Sequence, residues 1–211
     1  YWYMPTWAGV NVTTGAPEWY AKDGKKTSDY NLAERRFQGI AIPKYSGGLS
    51  THLQYKGVFL DATVYFTGGH KVYERFAQFY LRTNNFTTVN YNGDAELLNA
   101  WQKAGDVTDV PKITYSGADN FHDVSSRHLY DGTFARLKDI TLGYEVPSKY
   151  LEGTGFDGVT FTLRGTNLYT WVKDSGLKLD PEVGNKGNTM GYTTLTAPPV
   201  KSVVFGVNLK F

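Results

Sequence analysis

Four histidines, twenty acidic side chains and no cysteine bound the chemistry open to this sequence. Without cysteine there is no disulfide and no thiolate metal site. His52, His70, His122 and His128 show no metal-ligand spacing, and His122 and His128 lack the carboxylate pattern of a zinc helix. Asp180-Pro181-Glu182-Val183-Gly184-Asn185 offers oxygen ligands, but without the Asp/Asn register and closing Glu of an EF-hand. Asn11-Val12-Thr13 and Asn85-Phe86-Thr87 match glycosylation sequons. No nucleophile–base pair, catalytic carboxylate pair or phosphate-cradling glycine loop stands out, so the reading is of no enzyme, no metal and no cofactor. Aromatic side chains make up 16% of the chain and carry most of its binding potential. Trp7, Trp19, Tyr20, Trp101, Trp171 and Tyr192 lie in turn-rich segments, where a ring can stack on an apolar face such as that of a sugar. His52, Gln54, Asp61, Thr63 and Arg164 form a polar set that alternates with apolar neighbours, suited to touching a solute or hydrating a wall.

The elements that position these residues are strands. Leu49, Thr51, Leu53 and Tyr55 alternate with Ser50, His52, Gln54 and Lys56. Past a turn at Lys56-Gly57, Val58, Leu60, Ala62, Val64 and Phe66 share a face opposite Phe59, Asp61, Thr63 and Tyr65. Ile140, Leu142, Tyr144 and Val146 mark a third run, in which Arg136 and Lys138 continue the apolar parity, so that end must leave an apolar layer or contain a bulge. Val159, Phe161 and Leu163 oppose Thr160, Thr162, Arg164 and Thr166 in a fourth. The fifth sets Val203, Phe205, Val207, Leu209 and Phe211 against Ser202, Val204, Gly206, Asn208 and Lys210. Helical signals are short: Ala95 to Lys103 after Asp94 as N-cap, and Ser28 to Gln38. Expected strands cover about residues 1–7, 40–56, 58–74, 130–146, 157–170 and 200–211, with long loops at 8–38, 75–128 and 171–199.

No apolar stretch approaches the ~20 residues of a membrane helix. Strands that alternate between lipid and a wet lumen look like this sequence, and their short and long connections alternate as they do here. Tyrosines cluster near strand ends (Tyr45, Tyr55, Tyr73, Tyr144, Tyr169), where an interfacial aromatic girdle belongs. The expected fold is therefore all-β, a transmembrane antiparallel β-barrel. Five full strands and a partial sixth fall short of the minimum of about eight needed for closure, so the chain reads as the C-terminal strands of a larger barrel. The alternative is a soluble, aromatic-rich β-sandwich that binds glycans. In a barrel Val58, Leu60, Val64, Val203, Phe205, Val207 and Leu209 form an exposed band, whereas in a sandwich they are buried face to face. The net charge of +2 is close to balanced, with no Lys/Arg run to suggest nucleic acid, so no nucleic-acid partner is expected.

Four stretches resemble the C-terminal end of SusC/RagA-like TonB-dependent transporters. Gly39-Ile40-Ala41-Ile42-Pro43-Lys44-Tyr45-Ser46-Gly47-Gly48 is similar to the family's G-x-x-x-P-K-Y-x-G-G. Trp101 to Pro111 resembles W-x-x-P-G-D-x-T-D-x-P, with Ala104 in place of Pro. Tyr130 to Tyr144 resembles D-G-S-Y-L-R-L-K-N-I-T-L-G-Y, with Ala135 for Leu and Asp139 for Asn. Asn167-Leu168, Asp180-Pro181-Glu182 and Phe205 to Phe211 resemble N-L, D-P-E and F-G-L-N-L-x-F. The resemblance implies a barrel of about 22 strands closed by an N-terminal plug, in the outer membrane of a gram-negative bacterium. It implies import of oligosaccharides or peptides, with a SusD-like lipoprotein over the outer mouth and a TonB complex reached through an N-terminal part ahead of these residues. Phe211, Leu209, Val207 and Phe205 resemble the signal read by the outer-membrane assembly machinery, since such a strand can add to a sheet edge. Trp101, Trp171, Tyr192, His52 and Arg164 are the candidate contacts for substrate or partner.

Overall fold

A computed structural model describes residues 1–84, 92–115, 119–182, 190–193 and 197–211. In chain order the strands are β1 (Trp2–Pro5), β2 (Trp7–Val10), β3 (Pro17–Tyr20), β4 (Lys26–Thr27), β5 (Arg35–Gly39), β6 (Tyr45–Tyr55), β7 (Val58–Gly68), β8 (Lys71–Tyr73), β9 (Leu129–Asp131), β10 (Phe134–Glu145), β11 (Gly158–Val172) and β12 (Ser202–Lys210). The chain is all-β, and no helix among the described residues is long and apolar enough to cross a membrane. It divides into two compact units.

One unit (residues 43–69, 132–181 and 197–211) is a wall: a five-stranded antiparallel sheet in the order β12-β11-β10-β7-β6. β6 and β7 are joined by Lys56-Gly57, both at positive φ (48° and 83°), as a tight hairpin whose twist matches the strands requires. β10 carries the expected bulge. Its register steps from Leu137 opposite Val64 to Asp139 opposite Thr63, leaving Lys138 as the extra residue. That single residue reverses the parity of β10, so Leu137 and Ala135 continue the apolar face while Arg136 turns to the polar one. On β11 the same level holds Asn167 at φ 52°, with Leu168 folded over Gly165.

The other unit (residues 1–42, 70–131 and 182–196) is built from the long connections. β1 pairs with β5, β2, β3 and β4 form a small sheet, and β8 pairs with β9. Trp2, Met4 and Tyr73 form one core with Ala41, Leu129 and Tyr192 packed on it. Leu97, Ala100, Val110 and Phe121 form another with Trp7 and Ile113. Two helical expectations shorten here. Asp94 does cap by accepting from the Glu96 N–H, yet only a 3-10 turn, Ala95–Asn99, follows before Ala100 turns extended. Ser28 to Gln38 holds a 3-10 turn at Tyr30–Leu32 and then β5, because Arg35–Gly39 is drawn into pairing with β1. Trp2–Pro5 belongs to this unit through the same pairing, and Trp7 through the pairing of β2 with β3.

Candidate functional surfaces

The wall has two chemically opposite faces, fixed by strand parity and register. On one, successive rows run straight across the strands: Leu53, Leu60, Leu142, Leu163 and Phe205, then Tyr55, Val58, Tyr144, Phe161 and Val207. Leu142 is 50% exposed, Val203 65% and Phe205 66%, and no second sheet covers them among the described residues. Burying such side chains stabilises by about 1.5–3 kcal/mol each, so a face of this extent left in water would be a liability. The band is what a barrel wall presents to lipid and not the buried interior of a sandwich. Tyr45, Tyr55, Tyr144 and Tyr169 stand exposed on this face near strand ends, as a girdle requires. Tyr73 does not, because it is enclosed in the other unit's core. Gly47 and Gly68 admit the close approach of Phe66 and Tyr45, respectively, across their backbones.

On the other face the side chains satisfy each other laterally. His52 Nδ1 lies 2.6 Å from Asp61, and Arg164 donates to Asp139 at 2.7 Å. Gln54 donates to Glu145 at 3.1 Å, while Ser50 and Thr63 hydroxyls meet at 2.9 Å. The end of the Phe59 ring reaches over Gly143, where any Cβ would collide with it. Charge on this face is thus largely paired within the wall. His52 and Arg164, both candidate contacts, sit here, but already engaged by carboxylates. Trp171 does not join them. Its partner across the ladder is Ala135, beside Phe66, which puts it on the apolar face next to Tyr169.

Phe205, Val207 and Leu209 line the apolar face of the edge strand β12, with Phe211 just beyond it. The Phe211 ring packs against Phe156 with centroids 5.1 Å apart.

Trp101 and Tyr192 belong to the second unit. Trp101 lies against Gly15, its Nε1 donating to the Val12 carbonyl at 3.1 Å. The rest of its motif folds back on itself. Asp106 accepts from the Gln102 and Lys103 amides, which hold its carboxyl below the usual range, and the Thr108 hydroxyl donates to Asn99 O. Tyr192 packs edge-on to Trp2 and Tyr73. Both aromatics therefore serve the packing of this unit.

Two arginines that no spacing in the sequence marks organise the same unit. Arg82 donates to Glu74 at 2.7 Å, with Glu74 fully buried and Asp94 and Glu96 nearby. Burial alone would lower the Arg82 pKa, but Glu74, Tyr130, Glu96 and Asp94 outweigh it and raise it. Arg127 bonds Glu96 at 2.8 Å and lies over the rings of Trp7 and Phe121. His128 Nε2 sits 3.0 Å from the Arg127 guanidinium, so it accepts and the ring is neutral. Burial, with Arg127 and Arg82 adding to it, pushes the His128 pKa well below its ordinary value. Burial and then Glu74 push the Tyr130 phenol up to about 12.

No group of three or more potential metal-ligating side chains occurs among the described residues. Asp180 is taken by Arg136, and Val183 to Asn185 of that acidic stretch lie outside the described residues, as does the Asn85-Phe86-Thr87 sequon.

No family model matches the chain. Among curated proteins it is similar to TonB-dependent receptor P3 of Formosa agariphila, 27% identical over 197 residues covering 87% of this chain and 18% of that protein. Receptor P26 of the same organism is 30% identical over 184 residues, covering 82% of this chain and 17% of that one. Among solved structures, the RagAB peptide importer in its open-open state matches 99% of this chain and 22% of its own, at 29% identity and TM-score 0.77. The closed-closed state matches with TM-score 0.76. The chain spans about a fifth of the length of these relatives. Both comparisons bear out the resemblance read from the four motif stretches and the barrel-wall fold.

Proposed function

We infer that this chain, a SusC/RagA-like segment of a TonB-dependent receptor barrel, supplies wall strands and outer loops to an energy-coupled outer-membrane importer of oligosaccharides or peptides. The observation that carries the reading is the two-faced register of the wall, with an exposed apolar band behind a laterally satisfied polar ladder. The relatives' descriptions as TonB-dependent receptors and as a peptide importer support the class. In this reading the polar face lines the lumen, and the chain does no covalent chemistry. A SusD-like surface lipoprotein and the TonB complex are its partners, the second reached through other parts of the protein. β12, with Phe205, Val207, Leu209 and Phe211, is the strand the assembly machinery recognises. The test is uptake of labelled peptides and oligosaccharides by cells carrying the full-length protein, with and without a working TonB. Uptake that depends on both the protein and TonB is expected. Equal uptake in cells without TonB refutes the energy coupling.

A further inference from the structure

Two motif stretches that the transport reading leaves unexplained meet in the structure. The bulge at Lys138 turns Arg136 to the polar face of the wall, level with Tyr65 and Thr170. There Arg136 is 1% exposed and bonds Asp180 at 2.5 Å, with its guanidinium 5.4 Å from the Phe134 ring. Asp180 lies beyond the end of β11, so the chain after Val172 must fold back over the polar face to bring its carboxylate to Arg136. The turn in between is shaped by Asp174, which accepts from the Gly176 amide and, through its carbonyl, from that of Leu177. Leu177 and Pro181 are buried, and the segment up to Pro181 clusters with the wall.

We propose that residues 174–181 form a strap across the channel side of the wall, at the end away from the Lys56-Gly57 hairpin, pinned by the Arg136–Asp180 ion pair and narrowing the conduit there. This rests on the polar face being the lumen. Arg136 and Asp180 are positioning residues in this scheme, and the strap's exposed side is what a solute meets. The one-residue bulge is what makes the pin possible. Without it Arg136 would face the hydrocarbon layer, where a charge is costly.

The test uses the full-length protein in outer membranes with a Leu177→Cys reporter. Buried on the inner side of the strap, at a position now 5% exposed, that thiol should react slowly with a membrane-impermeant maleimide. Asp180→Asn should raise its labelling rate about tenfold and increase entry of a bulky antibiotic at least about twofold, while Asp180→Glu keeps both near the starting level. Unchanged labelling in Asp180→Asn overturns the pin. Raised labelling without increased entry overturns the constriction. Failure of the underlying barrel reading looks different, since then even the unsubstituted protein gives no heat-modifiable species in the membrane fraction.

Discussion

Adjacent residues on β10 provide the sharpest test of the wall. Ile140 and Thr141 differ by one position and face opposite sides: Ile140 lies in the row Ala62, Ile140, Gly165, Val203, and Thr141 between Asp61 and Arg164. Ile140 is four residues from Tyr144, which is about 13 Å along the strand and about 10 Å in height at a tilt near 40°. That places it near the middle of an apolar band about 25 Å tall. Ile140→Arg in the full-length protein should therefore cost about 2–4 kcal/mol, the depth-dependent penalty at a bilayer midplane. Thr141→Arg forfeits one hydroxyl bond to Asp139, worth about 1 kcal/mol, and meets Arg164, but gains Asp61. Its net cost should stay within about 1 kcal/mol. Urea titration of refolding into lipid vesicles, read as the heat-modifiable band shift, measures both. Equal costs, or a larger cost at Thr141, would refute the assignment of faces.

The remaining predictions concern the loop-built unit and the terminal strand. Arg82→Met removes the guanidinium that the buried Glu74 carboxylate accepts from and should cost about 3–5 kcal/mol. Faster hydrogen exchange confined to residues 70–131, with the barrel still heat-modifiable, is the expected readout, and unchanged exchange counts against the pair's importance. Because the His128 pKa is depressed on folding, stability from its neutral form is complete above the unfolded value of about 6.5 and lost as pH falls from there towards the folded value. Protease cleavage of this unit should accelerate between about pH 6.5 and 5, and His128→Asn should flatten that dependence. Gly191 sits at φ 79° against Ala41 and Trp2, so Gly191→Ala should loosen the 190–193 segment by more than about 1 kcal/mol, visible as faster exchange at Tyr73 and Thr193. Deleting Phe211 from the full-length protein should lower the amount of heat-modifiable barrel, and unchanged assembly would argue against an assembly role.

Strand parity is a local property, and so the faces of β6, β7, β11 and β12 were legible from alternation alone. Each side chain's side is set by its own neighbours in the chain. The conflict at Arg136 and Lys138 was legible too, as a demand for a bulge. Its resolution was not, because which residue is extruded depends on the partner strands. Trp171 and Tyr73 show the same limit, since a ring near a strand end serves lipid, lumen or core according to pairings far along the chain. The ion pairs of Arg82, Arg127 and Arg136 lie further still from sequence reasoning. Their partners are 8, 31 and 44 residues away, without periodicity to announce them. The sequence by itself determined a two-faced wall, because a period of two is written residue by residue. Only the tertiary structure decided what the long connections do, because closing them depends on contacts whose favourable energy appears once distant segments have already met.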